Sequence, residues 1–392
     1  MSETMAHRIQ AQAQSRPHAP AYYVKSGGSW VPTDWSTYAG EVRTVGRALV
    51  ALGIDHGDAV GILGFNTPDW VIMDCAAFSV GAVPAGIYTT CSSEEVEYIL
   101  QHSEAKVALV RNVMQWEKVQ QVRERLPKLE KVVTMRGCPA IDDPMVISWE
   151  TFCGLAEGVD DTVFDTRMAE LKPDQLATLI YTSGTTGPPK GVMLTHDNLA
   201  YTADLGVALS TADSSDCALS YLPLSHIAEQ MFSIHVAGTA GYAVYYATSI
   251  DDVAENLKEV QPTVFFGVPR IWEKFYAGLS SKLSQATGAK LKLVTWARGV
   301  GTKVSGIKNN GGQPTGLLAL QYRLADKLIF SKIKPAVGLS RAKIAVSGAA
   351  PITREVLEFM ASLDILVSEV YGQSEGSGPT SFNSPGKTKF GT

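Results

Sequence analysis

Residues 181–191 read YTSGTTGPPKG, directly after the apolar run 176–180 and directly before the apolar residues 192–194. Such short apolar runs predict two strands, so the stretch is predicted to be the loop of a strand–loop–strand unit. Hydroxyl groups, glycine amides and a lysine within one turn can offer hydrogen bonds and positive charge to phosphate oxygens. The predicted phosphate-binding residues are Thr182, Ser183, Gly184, Thr185, Thr186, Gly187 and Lys190.

This loop differs from a Walker loop, in which a G-x-x-x-x-G-K spacing leads directly into a helix. Pro189 precedes Lys190 and breaks that spacing. The pair Pro188-Pro189 also prevents a helix from starting directly after the loop, so no helix dipole is available to the phosphates. A plain polar hairpin loop is the structural alternative, because Gly, Thr and Pro are ordinary turn residues.

On both sides of the loop, short apolar runs alternate with segments of helical spacing. The predicted strands are 59–63, 82–87, 107–110, 263–266, 342–346 and 365–371. The predicted helices are 35–52, 69–80, 94–103, 250–260, 271–283 and 353–360. This alternation predicts an α/β fold with two doubly wound, mostly parallel sheets covered by helices. We expect residues 1–185 and 186–392 to form the first and second α/β subdomains.

The composition and charge of the chain argue against nucleic-acid binding, a disulfide framework and secretion. The 392-residue chain has a net charge of −5, which argues against nucleic-acid binding by the whole molecule. Its five cysteines are scattered and odd in number, which favours free thiols in a reducing cytosol. The amino-terminal residues MSETMAHRIQ lack the apolar core of a secretion signal. The uncharged run from Gln230 to Ile250 approaches the length of a membrane span, which is one alternative. Because it is rich in Gly, Ala, Thr and Tyr, we interpret it as buried strand and turn.

Two further segments follow apolar runs, where the carboxyl ends of parallel strands bind ligands. One is Tyr371-Gly372-Gln373-Ser374-Glu375, and the other is Ser347-Gly348-Ala349-Ala350-Pro351. The first also fits the G-x-S-x-G pattern of a serine hydrolase over residues 372–376. That chemistry needs a histidine later in the chain, and the last histidine is His235, far upstream. The hydrolase alternative is therefore excluded.

The loop sequence T-S-G-T-T-G-x-P-K-G resembles the signature of the adenylate-forming, or AMP-binding, superfamily. Outside the loop the chain resembles the long-chain fatty-acyl-CoA synthetases of the bubblegum type, from about residue 35 to its end. The segments that support this are GILGFN at 61–66, AGIYTT at 85–90, SYLPLSH at 220–226 and GVPRIWE at 267–273. The resemblance implies a ligase that uses ATP and Mg²⁺ to adenylate a fatty acid and then forms a thioester with CoA.

The resemblance also implies roles for individual residues. Tyr371 is expected to stack on adenine, Ser374 to meet the α-phosphate, and Glu375 to hold Mg²⁺ with Thr182 as a second ligand. His226 matches the histidine near the fatty-acid carboxylate; a satisfied core histidine is its structural alternative. Residues 267–270 (Gly267, Val268, Pro269 and Arg270) are expected to line the acyl pocket and contact nucleotide. For Arg270, a salt bridge at a helix start is equally open.

Three expectations concern the molecule as a whole. In this family the ribose-binding aspartate and a small carboxyl-terminal domain lie downstream of residue 392, so this polypeptide alone is expected to turn over poorly. A non-catalytic nucleotide- or lipid-binding module, or adenylation of another carboxylic acid, is the alternative function. Residues 282–343, here called the basic segment, contain twelve Lys and Arg against the single acidic Asp326. These basic residues are expected either to lie on solvated helix faces or to contact anionic membranes or CoA phosphates. The protein is expected to be cytoplasmic.

Overall fold

The computed structural model describes residues 4–182 and 187–391, which form two compact units. The first unit comprises the residues up to Val207 together with Ser220–Tyr246. The second comprises Ala208–Leu219 together with the residues from Ala247 onward. The expected break between residues 185 and 186 differs from this division. Residues 190–195 pair as a strand with residues 176–182, and this pairing keeps the sequence after the loop in the first unit.

The first unit begins with a helix and then alternates strands and helices. Its strands are β1 (Pro20–Ser26), β2 (Ser29–Asp34), β3 (Ala59–Leu63), β4 (Val83–Ile87), β5 (Ala105–Val110), β6 (Lys131–Thr134), β7 (Val146–Ser148), β8 (Leu176–Thr182) and β9 (Lys190–Thr195). Its helices are α1 (Met5–Ser15), α2 (Trp35–Ala51), α3 (Pro68–Ser79), α4 (Ser93–His102), α5 (Val113–Val122), α6 (Trp149–Gly154), α7 (Asp161–Ala169) and α8 (His196–Ser210).

Seven of these strands form one sheet in the order β7-β6-β5-β3-β4-β8-β9. All neighbouring pairs are parallel except β8 and β9, which run antiparallel. Every residue of β3 and β4 is buried, as the near-continuous apolar sequence of a doubly covered parallel strand predicts. Helix starts also follow the sequence: the side chains of Asp34, Thr67, Ser92 and Asn112 cap α2, α3, α4 and α5.

The remaining elements complete both units. They are β10 (Cys217–Ser220), α9 (Ile227–Gln230), α10 (Val236–Ala240), β11 (Ala243–Tyr246), α11 (Val253–Val260), β12 (Val264–Gly267), α12 (Pro269–Ser284), α13 (Gly288–Asn309), α14 (Gly316–Ala325), α15 (Ser331–Ala336), β13 (Ile344–Ser347), α16 (Arg354–Ser362), β14 (Val367–Gln373) and β15 (Gly378–Phe382). In the first unit β1 pairs with β11 in parallel and with β2 antiparallel. In the second unit β10, β12, β13 and β14 are parallel neighbours, and β15 is antiparallel to β14. The predicted α/β class with two mostly parallel sheets is therefore confirmed.

One local prediction was wrong. Residues 230–250 were expected to be strand and turn, but α9, a π-helical turn at Met231–His235 and α10 form a helix before β11 begins. The cause is burial: a helix surrounded by protein is apolar on all sides and shows no amphipathic period. Among the helices of the described part of the chain, none combines the length and apolar composition needed to cross a bilayer.

Candidate functional site

The predicted phosphate loop, residues 183–189, lies between the antiparallel strands β8 and β9, as the sequence predicted. Thr182 and Lys190 are paired across the two strands, so both ends of the loop are held by a sheet. Gly187 has φ +88°, a conformation that disfavours side chains, and the Lys190 side chain is exposed. The predicted phosphate-binding residues 183–186 (Ser183, Gly184, Thr185 and Thr186) lie outside the described residues.

His226 lies at the start of α9, in a loop of the first unit. Its Nδ1 accepts a hydrogen bond of 3.1 Å from the backbone N–H of Ala228, which caps this short helix. Burial lowers the pKa of the ring, so His226 is neutral at pH 7. A neutral imidazole whose Nδ1 is an acceptor has its proton on Nε2. His226 can therefore donate one hydrogen bond, through Nε2, to an oxygen of a carboxylate or phosphate.

A buried carboxyl group fixes the loop that precedes His226. Glu229 accepts hydrogen bonds from the hydroxyls of Ser220 (2.6 Å) and Ser233 (2.5 Å) at one oxygen. Its other oxygen accepts the backbone N–H of Leu222 at 3.2 Å. Burial raises the pKa of Glu229 to about 7. Glu229 thus joins Ser220 and Leu222 to the helix that His226 begins.

Asn66 and Gly86 attach this loop to the seven-stranded sheet. The Asn66 side-chain amide, just beyond β3, donates to Ser220 Oγ (2.8 Å) and to the carbonyl of Leu222 (2.7 Å). A Cβ at Gly86, within β4, would lie 2.8 Å from the Ser225 Cα, so only glycine allows this approach. In the sequence, only the family resemblance connects the segments 61–66, 85–90 and 220–226. The fold brings all three together around the His226 loop.

In the second unit, β12 and β13 end side by side, and their neighbour β14 continues past them to Gln373. Gly267 at the end of β12 is paired with Ser347 at the end of β13, and Ser347 is paired with Glu369 of β14. Segments 267–270, 347–351 and 371–375, selected separately from the sequence, therefore start from one edge of the sheet. The carboxyl edge of a parallel sheet is where α/β proteins bind ligands.

The turn after β13 has an unusual backbone. A Cβ at Gly348 would lie 2.5 Å from Val370 Cγ1, so the turn packs against β14 without space for a side chain. The following Ala349 has φ +68°, a left-handed conformation that costs an alanine about 1–3 kcal/mol. The buried Ser347 hydroxyl has no hydrogen-bond partner among the described residues. Ala349 and Ala350 are exposed, so the backbone of this turn is accessible to a flat ligand.

Arg270 lies in the first turn of α12, whose first residue is Pro269. The Trp272 indole N–H donates to the Gly267 carbonyl at 3.0 Å and fixes the entry into this helix. The Arg270 side chain is exposed, and none of the ion pairs between described residues includes it. The alternative of a salt bridge at the helix start is thus absent from the described structure. Arg270 is a cation near the positive end of the α12 dipole, so an anion bound beside it would stabilise its position.

The segment 371–375 runs from β14 into a 3₁₀ turn at Ser374–Gly376. The ring of Tyr371 is 64% exposed, Gly372, Gln373 and Glu375 are also exposed, and Ser374 is buried. No group of three or more His, Cys, Asp or Glu side chains within residues 4–182 and 187–391 could hold a metal ion. A carboxylate such as that of Glu375 instead fits Mg²⁺ that is bound mainly by phosphate oxygens and water.

Sequence reasoning did not select Asn66 or Glu229 as site residues. Each had a visible signal: Asn66 follows a buried strand, and Glu229 is the only acidic residue between Asp216 and Asp251. Nothing local indicates that the two share Ser220 and Leu222 as partners. Only the fold provides that information.

The chain matches the AMP-binding enzyme family over residues 9–392. It is 40% identical over 368 residues to a long-chain-fatty-acid–CoA ligase, ACSBG2, from Xenopus laevis. That match covers 92% of this chain and 49% of the relative. The chain therefore spans about half the length of the curated relatives it matches.

Two solved structures share the fold. The anthranilate CoA ligase AuaEII in complex with anthranoyl-AMP gives a TM-score of 0.71 at 19% identity, covering 99% of this chain and 62% of that chain. The inhibitor-bound N-terminal domain of FACL13 from Mycobacterium tuberculosis gives 0.68 at 19% identity, covering 97% of this chain and 78% of that chain.

Proposed function

We propose that this chain, which belongs to the AMP-binding enzyme family, acts in a long-chain fatty-acid–CoA ligase. The observation behind this proposal is the 40% identity to a named ligase of that kind over nearly the whole chain. The proposed reaction has two steps. The fatty-acid carboxylate attacks the α-phosphorus of ATP and releases pyrophosphate, giving an acyl-adenylate. The thiolate of CoA then attacks the acyl carbon and releases AMP.

In the first unit, we propose that the phosphate loop and His226 bind the reacting groups. Lys190 and the loop donors at residues 182–187 offset negative charge on the phosphates. His226 donates from Nε2 to an oxygen of the carboxylate or the α-phosphate. Two observations support this role: the ring is neutral, and the hydrogen bond from Ala228 occupies Nδ1. No general base is needed, because a fatty-acid carboxylate is already ionised at pH 7. Asn66 and Glu229 position this histidine through Ser220 and Leu222.

In the second unit, we propose that the strand-end segments bind nucleotide and acyl chain. Tyr371 offers an exposed ring for stacking on adenine, and the turn at Gly348, Ala349 and Ala350 lies along the base. Glu375, with Thr182, is proposed to hold Mg²⁺, which supplies charge neutralisation at the phosphates. Residues 267–270 are proposed to line the acyl pocket, with Arg270 contacting nucleotide.

Poor turnover by the 392-residue polypeptide alone is a further part of this proposal. Location in the cytoplasm, at times on a membrane surface, is part of the same proposal. Fatty-acid-dependent exchange of labelled pyrophosphate into ATP tests it, with this chain and with a chain extended to the length of its relatives. We expect exchange in the extended chain, with Lys190→Ala and Glu375→Gln lowering it at least about 10-fold.

Lys172→Ala is the matched control, since Lys172 is an exposed lysine of the same unit. It should leave exchange unchanged. Normal exchange from the 392-residue chain would refute the claim of poor turnover. If the extended chain bound ATP but formed no adenylate with any fatty acid, a nucleotide-binding module would be the better description. Adenylation of a different carboxylic acid in preference to fatty acids would refute the substrate assignment.

A further inference from the structure

We propose that α14 and the basic segment form a docking surface for an anionic lipid bilayer. This surface belongs to the second unit and includes none of the residues assigned to catalysis. The proposal rests on the membrane location included in the proposed function and names the surface responsible. Vesicle binding tests it without any catalytic measurement, so its failure would leave the proposed ligase activity unaffected.

The apolar part of the surface is a row of leucines on α14, here called the leucine stripe: Leu317, Leu320 and Leu324. Their exposed fractions are 72%, 61% and 49%. Spacings of three and four residues place the three side chains on one face of the helix. The opposite face of α14 is already used, because Leu318, Tyr322 and Ala325 pack with α13 in the hydrophobic core. The leucine stripe therefore faces away from the core that holds the helix in place.

Positive charge borders this stripe. Arg323 and Lys327 are exposed and follow Leu320 and Leu324 by three residues, so they lie beside the leucines. Five other lysines of the basic segment are exposed as well: Lys282, Lys290, Lys292, Lys303 and Lys332. The only acidic residue of the segment is Asp326, which is half-buried.

The cations that the fold uses internally are a different subset. Lys308 and Lys334 form ion pairs with the buried Asp364, and Lys343 pairs with Asp213 and Asp216. These contacts account for three of the twelve basic residues without involving Arg323, Lys327 or the five exposed lysines. The interpretation of the basic segment as solvated helix faces is therefore incomplete, because it leaves the adjoining leucines unexplained.

Charge complementarity selects the bilayer as the occupant. Single exposed leucines are common on protein surfaces, but an aligned row next to cations is the pattern of helices that lie in the membrane interface. Leucines of such a helix enter the boundary between headgroups and acyl chains, while Lys and Arg bind anionic headgroups. Because the whole chain has a net charge of −5, attraction to a negatively charged membrane has to come from a local group of cations such as this one.

Co-sedimentation of the 392-residue chain with vesicles tests the proposal. Vesicles of phosphatidylcholine mixed with phosphatidylserine are compared with vesicles of phosphatidylcholine alone, at low and high salt. We expect binding to the anionic vesicles that weakens as salt is raised. Replacing the leucine stripe (Leu317→Gln, Leu320→Gln, Leu324→Gln) should weaken binding at least about 10-fold, since three apolar side chains no longer enter the interface. Arg323→Gln with Lys327→Gln should weaken binding and reduce its dependence on salt.

The matched controls are exposed residues of the first unit. Tyr201→Gln with Leu205→Gln changes two exposed apolar side chains of α8, and Lys128→Gln with Lys172→Gln removes two exposed lysines. Both controls should bind like the unaltered chain, and thermal unfolding of every variant establishes that it is folded. Three outcomes overturn the proposal: no binding to anionic vesicles, unchanged binding in the leucine-stripe variant, or self-association in place of vesicle binding that the leucine changes abolish.

Discussion

Gly86 shows how one missing side chain determines the position of the His226 loop. A Cβ added there would lie 2.8 Å from Ser225 Cα and 3.1 Å from the Trp70 ring, and neither group can move away easily. We therefore predict that Gly86→Ala lowers the free energy of unfolding by about 1–3 kcal/mol, measured by urea denaturation.

Gly40→Ala is the matched control for this prediction. Gly40 is exposed within α2, and an added Cβ would meet nothing within 4 Å. There the alanine should raise stability by about 0.5–1 kcal/mol through its higher helix propensity. Equal effects of the two substitutions would contradict the proposed close approach of β4 to the loop.

Tyr371 allows a structural role to be separated from a ligand-binding one. Its side chain is largely exposed, so Tyr371→Ala should change the free energy of unfolding by less than about 0.5 kcal/mol. If the ring stacks on adenine, the same change should weaken ATP binding about 10-fold, because stacking of a base on an aromatic side chain contributes roughly 1–3 kcal/mol. Isothermal titration with ATP measures this effect, and Tyr371→Trp should restore binding. Unchanged ATP affinity in Tyr371→Ala would remove this residue from the site.

At the scale of secondary-structure elements, Asp364 holds together the helices of the second unit. Its buried carboxylate accepts hydrogen bonds from Lys308 of α13 at 2.7 Å, from Tyr322 of α14 at 2.8 Å, and from Lys334 of α15. Burial alone would raise the pKa of Asp364, but Lys334 and Lys308 hold it below its usual value. Three helices that are adjacent in sequence thus share one acidic partner from the segment after α16.

We predict that Asp364→Asn destabilises the chain by about 3–5 kcal/mol at pH 7, because two partly buried lysines lose their counter-charge. Lys308→Met should cost less, since Lys334 continues to neutralise the carboxylate. Urea denaturation measures both. An exposed ion pair of the same unit, Arg354 with Glu358, gives the control: Glu358→Gln should cost less than about 1 kcal/mol. A similar cost for Asp364→Asn and Glu358→Gln would argue against a shared buried anchor.

For the whole molecule, buried titratable groups set the dependence of stability on pH. Burial raises the pKa of Asp74 to about 8 and that of Glu229 to about 7. The unfolded chain releases these protons near pH 4, whereas the folded chain keeps them up to about pH 7 and 8, so these groups lower stability progressively across that range. Burial lowers the pKa of His196 to about 4 and that of His235 to about 3. The unfolded chain binds these protons near pH 6.5, so the histidines lower stability as pH falls below that value.

These opposite effects predict maximal stability near pH 6.5. Between pH 4.5 and 6.5 the two carboxyl groups and the two histidines nearly cancel, and His226, whose pKa is also lowered, tips the balance toward falling stability at lower pH. From pH 6.5 to 8 the free energy of unfolding should fall by about 2–3 kcal/mol. Urea denaturation at stepped pH measures the profile, and the double variant Asp74→Asn, Glu229→Gln should abolish the fall. A flat profile in the unaltered chain would show that these carboxyl groups do not retain their protons.

The sequence by itself determined the α/β class, most strands and helices, and the strand–loop–strand context of residues 176–195. These features are local: apolar periodicity, capping side chains and prolines act within a few residues along the chain. It also predicts ligand binding by Lys190 and the segment 371–375, because ligand-binding residues often follow strand ends that the same patterns predict. For His226 the prediction rests on the family resemblance.

The tertiary structure alone decided what holds those residues in place. Residues 227–240 form a buried helix whose apolar sequence had suggested strand and turn, since a helix enclosed by protein has no polar face to reveal its period. Asn66 and Glu229 act on the same loop although 163 positions along the chain separate them. Partners so distant in sequence are brought together by the packing of whole elements, and no local pattern records that packing.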